Sequence, residues 1–518
     1  MKWRVATNLI VILVLLQMIV GCMWRPATTE AHISQTSSQQ EAVRTKYAAN
    51  VQIDPDKHAV TGTLSARFPV KDQQKAYFHL YSNAFVERPE LSTPNWLYIL
   101  GENRIEGKMT IHDVRVKEKP VPFKVNQTIL EVPFDKPVAQ GEAVTVSMNF
   151  TLQVPKNDGR LSYDDHAIWL GNWLPILAVN ESAGWRLDPY LPIGDPFYSE
   201  VADYDVQIRV PHQYQIATTG LESLAVVTET RPKGFKFYDI QALNVRDFAV
   251  VAMDDSYRSI TAKVGETLVN TWYRVDDQMD AVMRVHDVAK KSLQYYSKSF
   301  GVYPYQEYDV VRTGGFFGGM EYPSIVFIQD KYFETPGGYG DAVVAHETAH
   351  QWFYGVVGND EIKEAWVDES LTDYATMVFL QQYDKKSANE YIKRRVTRGN
   401  MAASLYAEQK ISAWQSVDQF PNWPSYSDLV YSRGGAMLWN LRQTWGEERV
   451  NEALRYYYTT HQYKNATGKD VVDAFTKVAG ESANPYFDYW LRLKPEMEKP
   501  AFNWSIRGKS KVPTMNTK

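Results

Sequence analysis

The chain has 518 residues, too many for one core, so roughly two to four domains are expected. Hydrophobic residues at 44% and charged residues at 23% are the balance of a globular protein. The net charge of −5, from 56 basic and 61 acidic side chains without a basic stripe, argues against nucleic acid as the main partner.

Residues 1–22 read as a lipoprotein signal peptide. Lys2 and Arg4 make a positive start, and Leu9 to Val20 is an apolar run broken only by Gln17. About twelve positions are too few to span a bilayer comfortably. Ile19-Val20-Gly21-Cys22 resembles a bacterial lipobox, in which the cysteine is lipidated and becomes the new first residue. The alternative is an uncleaved signal anchor. Cys22 is the only cysteine, so the chain has no internal disulfide and no thiolate metal site. A lipid there would hold the protein on the extracytoplasmic face of the cell membrane without spanning it. Residues 23–45 are polar, with a Ser/Gln/Thr run at 34–40, and read as a flexible tether.

From 46 to 257, runs rich in Val, Ile, Thr and Tyr alternate with turn residues. Val60–Phe68, Ala76–Ser82, Thr128–Phe134, Val144–Val154, Tyr204–Val210 and Asp247–Met253 read as strands, which predicts an all-β saddle or sandwich domain. Near Asp276 the period changes. Val282, Val285, Val288, Ala289, Leu293 and Tyr296 recur at helical spacing. Strands at Tyr308–Arg312 and Ser324–Ile328 flank two glycine pairs, Gly314-Gly315 and Gly318-Gly319. Helical patterns then dominate: Ala388–Ala407, Gly435–Trp445, Glu448–Thr460 and Lys469–Val478, the last with Thr467 and Asp470 as an N-cap pair. The expected fold is thus multi-domain α+β, with a mixed α/β and helical domain at 258–500 and a tail at 501–518.

The chemistry is concentrated in His346-Glu347-Thr348-Ala349-His350, with Glu369 after eighteen further residues. A helix over Asp341–Tyr354 stacks the two histidines on one face, and a second helix from Val367 to about Gln381 can bring Glu369 to the same point. Two imidazoles and a carboxylate are three ligands for one Zn²⁺ per chain, with the fourth position open for water. Glu347 can reach that water without binding the metal. Asp373, four residues after Glu369, is expected on the same helical face, accepting the second N–H of His346 or His350.

Further segments make the chain resemble the aminopeptidase N family of zinc exopeptidases (gluzincins). Gly318-Gly319-Met320-Glu321-Tyr322 is similar to the family's Gly-x-Met-Glu-Asn motif on an edge strand of the cleft. His346 to Phe353, with Trp366-Val367-Asp368-Glu369, matches its zinc motif in residues and spacing. Tyr431-Ser432-Arg433-Gly434 resembles its Tyr-x-Lys-Gly segment. Weaker likeness extends to Tyr486–Trp490 and to Gly194-Asp195, and longer relatives continue into further domains.

The resemblance implies a thermolysin-like catalytic domain that cleaves the first bond of peptides with a free N-terminus. Glu321 would hold the α-ammonium, since a fixed carboxylate in a dry cleft rewards an amine and penalises a blocked one. Gly318, Gly319 and Met320 would let the peptide backbone lie along the strand. Glu347 would be the general base, and Tyr431 a neutral hydrogen-bond donor to the oxyanion. Tyr322 stands where the family usually has Asn, which implies a reshaped first pocket. Two alternatives stay open: a zinc endopeptidase of the same fold, and a catalytically silent, lipid-tethered binding protein.

Overall fold

The computed structural model describes residues 44–224, 233–315 and 317–492. The signal segment, Cys22, nearly all of the tether and the tail lie outside the described residues.

An eight-stranded sheet begins the described chain. In spatial order its strands are Leu221–Leu224, Phe235–Val245, Ala202–Pro211, Lys46–Asp54, Ala59–Pro69, Ala143–Gln153, Lys108–Val116 and Lys119–Pro120. Neighbours are antiparallel except for Lys46–Asp54 beside Ala202–Pro211. Period-two alternation explains which face is buried: Tyr47, Ala49, Val51 and Ile53 point inward while Lys46, Ala48 and Asn50 face solvent. Two four-stranded sheets, one holding Ala167–Leu170 and Val250–Met253, the other Lys75–His79 and Ile129–Pro133, complete the β-rich part.

The second part is built on a five-stranded sheet in the order Tyr257–Val264, Thr267–Arg274, Glu307–Thr313, Ile325–Gln329, Gly319–Met320. The middle three strands run parallel, and the edge strand Gly319–Met320 runs antiparallel to its neighbour. The helix Met279–Phe300 buries Val282, Val285, Val288, Ala289, Leu293 and Tyr296 and stops at Gly301, whose φ of 138° no other residue adopts readily. Helices Tyr339–Ala349, Trp366–Tyr383, Lys385–Leu405, Gly434–Trp445, Glu447–His461, Gly468–Ala479 and Asn484–Leu491 follow. Thr467 and Asp470 form the expected capping box. The fold is the expected α+β arrangement. Among the described residues, no helix is long and apolar enough to cross a membrane.

Two apolar cores result. One fills the helical part around Tyr296, Trp352, Trp366 and Tyr374. The other fills the β-rich part and continues into Val311, Met320, Tyr322, Ile325 and Phe327 of the five-stranded sheet and its edge. The edge strand therefore shares its core with the β-rich part.

Candidate active site

Helix Tyr339–Ala349 carries His346 and Glu347, and helix Trp366–Tyr383 carries Glu369. Both are buried along most of their length, charged and polar residues included. The first is shorter than its sequence pattern suggests. It ends at Ala349, and His350 begins a wider turn in which the N–H groups of Gly355, Val356 and Val357 bond five residues back. The turn serves His350: the Phe353 carbonyl comes within 2.9 Å of Nδ1, with Thr372 Oγ1 at 3.3 Å. An Nδ1–H donated to that carbonyl leaves Nε2 free as a ligand atom.

Three donor atoms then converge. His346 Nε2 lies 3.1 Å from Glu369 Oε2 and 3.1 Å from His350 Nε2, which is 3.3 Å from the same carboxylate oxygen. Ligand atoms about 2.0–2.2 Å from a tetrahedral Zn²⁺ stand roughly 3.3–3.5 Å apart, so the spacing fits the ion. The charge inventory fits as well: Glu321, Glu347, Asp368 and Glu369 are buried, and Asp195 half-buried, around two imidazoles and Arg160. Burial pushes the Glu347 carboxyl up to about 8, with His350 opposing and Glu369 and Asp195 adding to the push. Burial likewise raises Glu321. For His350 burial opposes the proton, but the carboxylates of Glu321, Glu369 and Glu347 outweigh it and hold its pKa well above the usual value. Burial thus favours protonated carboxyls here, and a cation bound among them would let them ionise.

The edge strand forms one wall. Gly318, Gly319 and Glu321 line a cleft of about 490 Å³ together with His346, Glu347 and Tyr431. Strand alternation turns Met320 and Tyr322 the other way, into the core, where they are 1% and 0% exposed. This corrects two expectations: the Met320 side chain does not line the cleft, and Tyr322 does not shape the first pocket. Tyr322 instead donates its hydroxyl to Asn172 Oδ1 at 2.7 Å.

A further correction concerns Asp373. Its Oδ1 accepts a bond from the Tyr391 hydroxyl at 2.5 Å and lies 3.1 Å from Arg395 Nε, and neither histidine is bonded to it. The (i, i+4) relation to Glu369 sets the helical face, but the arginine on the next helix is the stronger partner. Tyr431 lies in a π-helical turn, Ser427–Arg433, and donates its hydroxyl to Glu369 Oε1.

Sequence reasoning misses Asp195, from the β-rich part. Its carboxylate comes within 4.8 Å of oxygens of Glu321 and Glu369, and it is paired with Arg160 at 2.5 Å. The only signal for it is the weak likeness at Gly194-Asp195. Aromatic side chains Phe85, Tyr98, Tyr190 and Trp423 line the same cleft from other segments.

His346, His350 and Glu369 together form a buried site whose three donors fit one Zn²⁺. Residues 284–490 match the model of the peptidase family M1 domain, and the chain is similar to proteins named aminopeptidase N. It is 24% identical over 220 residues to a probable aminopeptidase 2 of Sulfurisphaera tokodaii, covering 40% of this chain and 28% of that one. It is 24% identical over 286 residues to aminopeptidase N of Lactobacillus delbrueckii subsp. lactis, covering 52% and 33%. The matched region thus spans a third or less of either relative. An M1 zinc metallopeptidase from Deinococcus radiodurans has a similar fold, with a TM-score of 0.60 at 16% identity over 86% of this chain and 93% of that one.

Proposed function

We propose that the protein is a zinc-dependent aminopeptidase that removes the first residue of peptides with a free N-terminus. The observation that carries this reading is Glu321. It is 4% exposed, its Oε1 accepts no hydrogen bond, and His350 Nε2 stands 3.8 Å away. A buried carboxylate so poorly partnered is costly unless a cation joins it, and a substrate α-ammonium is such a cation. Asp195, brought in from the β-rich part, offers a second carboxylate nearby.

When bound, Zn²⁺ supplies Lewis acidity and lowers the pKa of its water toward about 7. The chain's own groups do the rest. Glu347, buried beside the edge strand with Oε2 accepting no bond, takes a proton from the attacking water and passes it to the leaving amine. Tyr431, whose O–H already reaches the ligand carboxylate, donates to the carbonyl oxygen as charge develops there. Gly318 and Gly319 leave room for the peptide backbone along the strand, and Glu321 sets the register so that only the first bond meets Glu347.

The test compares kcat/KM for matched free and N-acetylated peptides on the wild type and Glu321→Gln. The wild type should reject the acetylated peptide. Glu321→Gln should lose roughly 30- to 4000-fold on the free one, the 2–5 kcal/mol of a broken desolvated pair. Equal cleavage of both peptides by the wild type would leave the endopeptidase reading in its place.

The same proposal tethers the enzyme to the extracytoplasmic face of the membrane through a lipid on Cys22. Its support is the basic start, the short apolar run and the lipobox-like Ile19–Cys22. Labelled fatty acid should enter the wild type and not Cys22→Ala.

A further inference from the structure

Arg395 has a guanidinium group that the proposed reaction does not use, yet it is buried beside the site at 6% exposure. Its Nε lies 3.1 Å from Asp373 Oδ1 and 3.2 Å from the Tyr391 hydroxyl, and one terminal nitrogen reaches Ser432 Oγ at 3.5 Å. The group is therefore fixed from three sides, one of them the residue next to Tyr431. Its central carbon stands 5.4 Å from the centroid of the Tyr431 ring, and the side chain lines the same cleft.

A buried ion pair is a weak device for stability, because two apolar side chains of similar volume serve as well. A cation held against a phenol ring does something an apolar pair cannot. We infer that Arg395 is a positioning residue for Tyr431, holding its ring and strengthening its O–H as a donor during the reaction. This rests on the oxyanion role given to Tyr431 above. As charge builds on the carbonyl oxygen, the phenol proton is drawn toward it and the ring gains negative character. A guanidinium within 6 Å of the ring centroid favours that state. Arginine stays charged at any working pH, and a fixed, water-excluded charge needs no reorganisation when the reaction occurs. The stabilisation is larger in the transition state than in the substrate complex, so it falls on kcat rather than KM.

The experiment measures kcat, KM, zinc content and thermal unfolding for Arg395→Met, Arg395→Lys and Tyr431→Phe, and for each Arg395 variant combined with Tyr431→Phe. Arg395→Met should lower kcat roughly 10- to 30-fold, the scale of a desolvated cation–π contact, with KM little changed and zinc retained. Arg395→Lys, which keeps a cation, should lose less. In the Tyr431→Phe background both substitutions should have almost no further effect on kcat. Equal losses in the two backgrounds would overturn the inference while leaving the role of Tyr431 intact. An unchanged kcat for Tyr431→Phe alone would overturn both. Should Arg395→Met fold poorly because Asp373 is left unpaired, Arg395→Lys in the two backgrounds decides between the same outcomes.

Discussion

Gly319 and Glu347 are packed so closely that a Cβ on the glycine would overlap the glutamate's Cγ and carboxylate. The motif around Gly319 suggests room for a substrate; in the structure the glycine is first of all room for Glu347. Gly319→Ala should therefore displace the Glu347 carboxylate and reduce kcat/KM by about 10²-fold, the usual effect of a misplacement near 1 Å. Zinc content should not change. Full activity in the alanine variant would mean that Glu347 has another route to its position.

Glu347 and the three donors should separate cleanly. Glu347→Gln removes the proton acceptor but no ligand, so zinc stays bound while kcat falls by at least about 10²-fold. His346→Ala, His350→Ala and Glu369→Ala should lose metal and activity together. Metal analysis beside steady-state kinetics reads both. A Glu347→Gln protein without zinc would show its role to be misassigned.

Asp373→Ala should keep its zinc, because the carboxylate serves Arg395 and not a histidine. The arginine would then be buried without its counter-charge, at a cost of about 3–5 kcal/mol. Denaturant unfolding should report that loss with a normal metal stoichiometry. Loss of zinc with unchanged stability would restore the histidine-orienting role.

His286, which does not line the cleft, gives a pH signature of its own. Burial, helped by Lys290 and opposed by Asp287, pushes its pKa down to about 4, and its Nδ1 faces Thr271 Oγ1 at 2.9 Å. Between about pH 6.5 and 4 the unfolded chain takes up this proton and the folded chain does not. The contribution is thus complete above about 6.5 and lost as pH falls through 4. Relative to His286→Gln, the wild type should lose stability over that window. Parallel stability curves for the two proteins would contradict the assignment.

His346 and His350 are legible in the chain because helical spacing puts them on one face, and Glu369 because it stands near the start of a second helix that can reach them. The long helix at 279–300 declares itself by the same spacing of Val282, Val285, Ala289 and Leu293. The partner of His350 is not legible, since it is the main-chain carbonyl of Phe353, exposed by a turn that no side-chain pattern announces. Asp373 has the expected face and another neighbour: spacing along one helix does not say which side chain of the next helix arrives first. Asp195 reaches the site across more than a hundred residues of sequence, where local pattern has no purchase. Met320 departs from expectation for a simpler reason. Along a strand, alternate side chains must part company, however contiguous the motif that contains them.

That alternation has a mechanical consequence. Gly319 and Glu321 are the working edge of the cleft, while Met320 and Tyr322, the residues between and after them, are embedded in the β-rich part's interior. One short strand is thus gripped from behind by one half of the molecule and used from the front by the other. The two halves cannot hinge at this seam without moving Glu321, which in the proposed reaction marks where a peptide begins. Loosening around Tyr322 and Asn172 would blur that mark while His346 and Glu369, seated on their own helices, stayed in register.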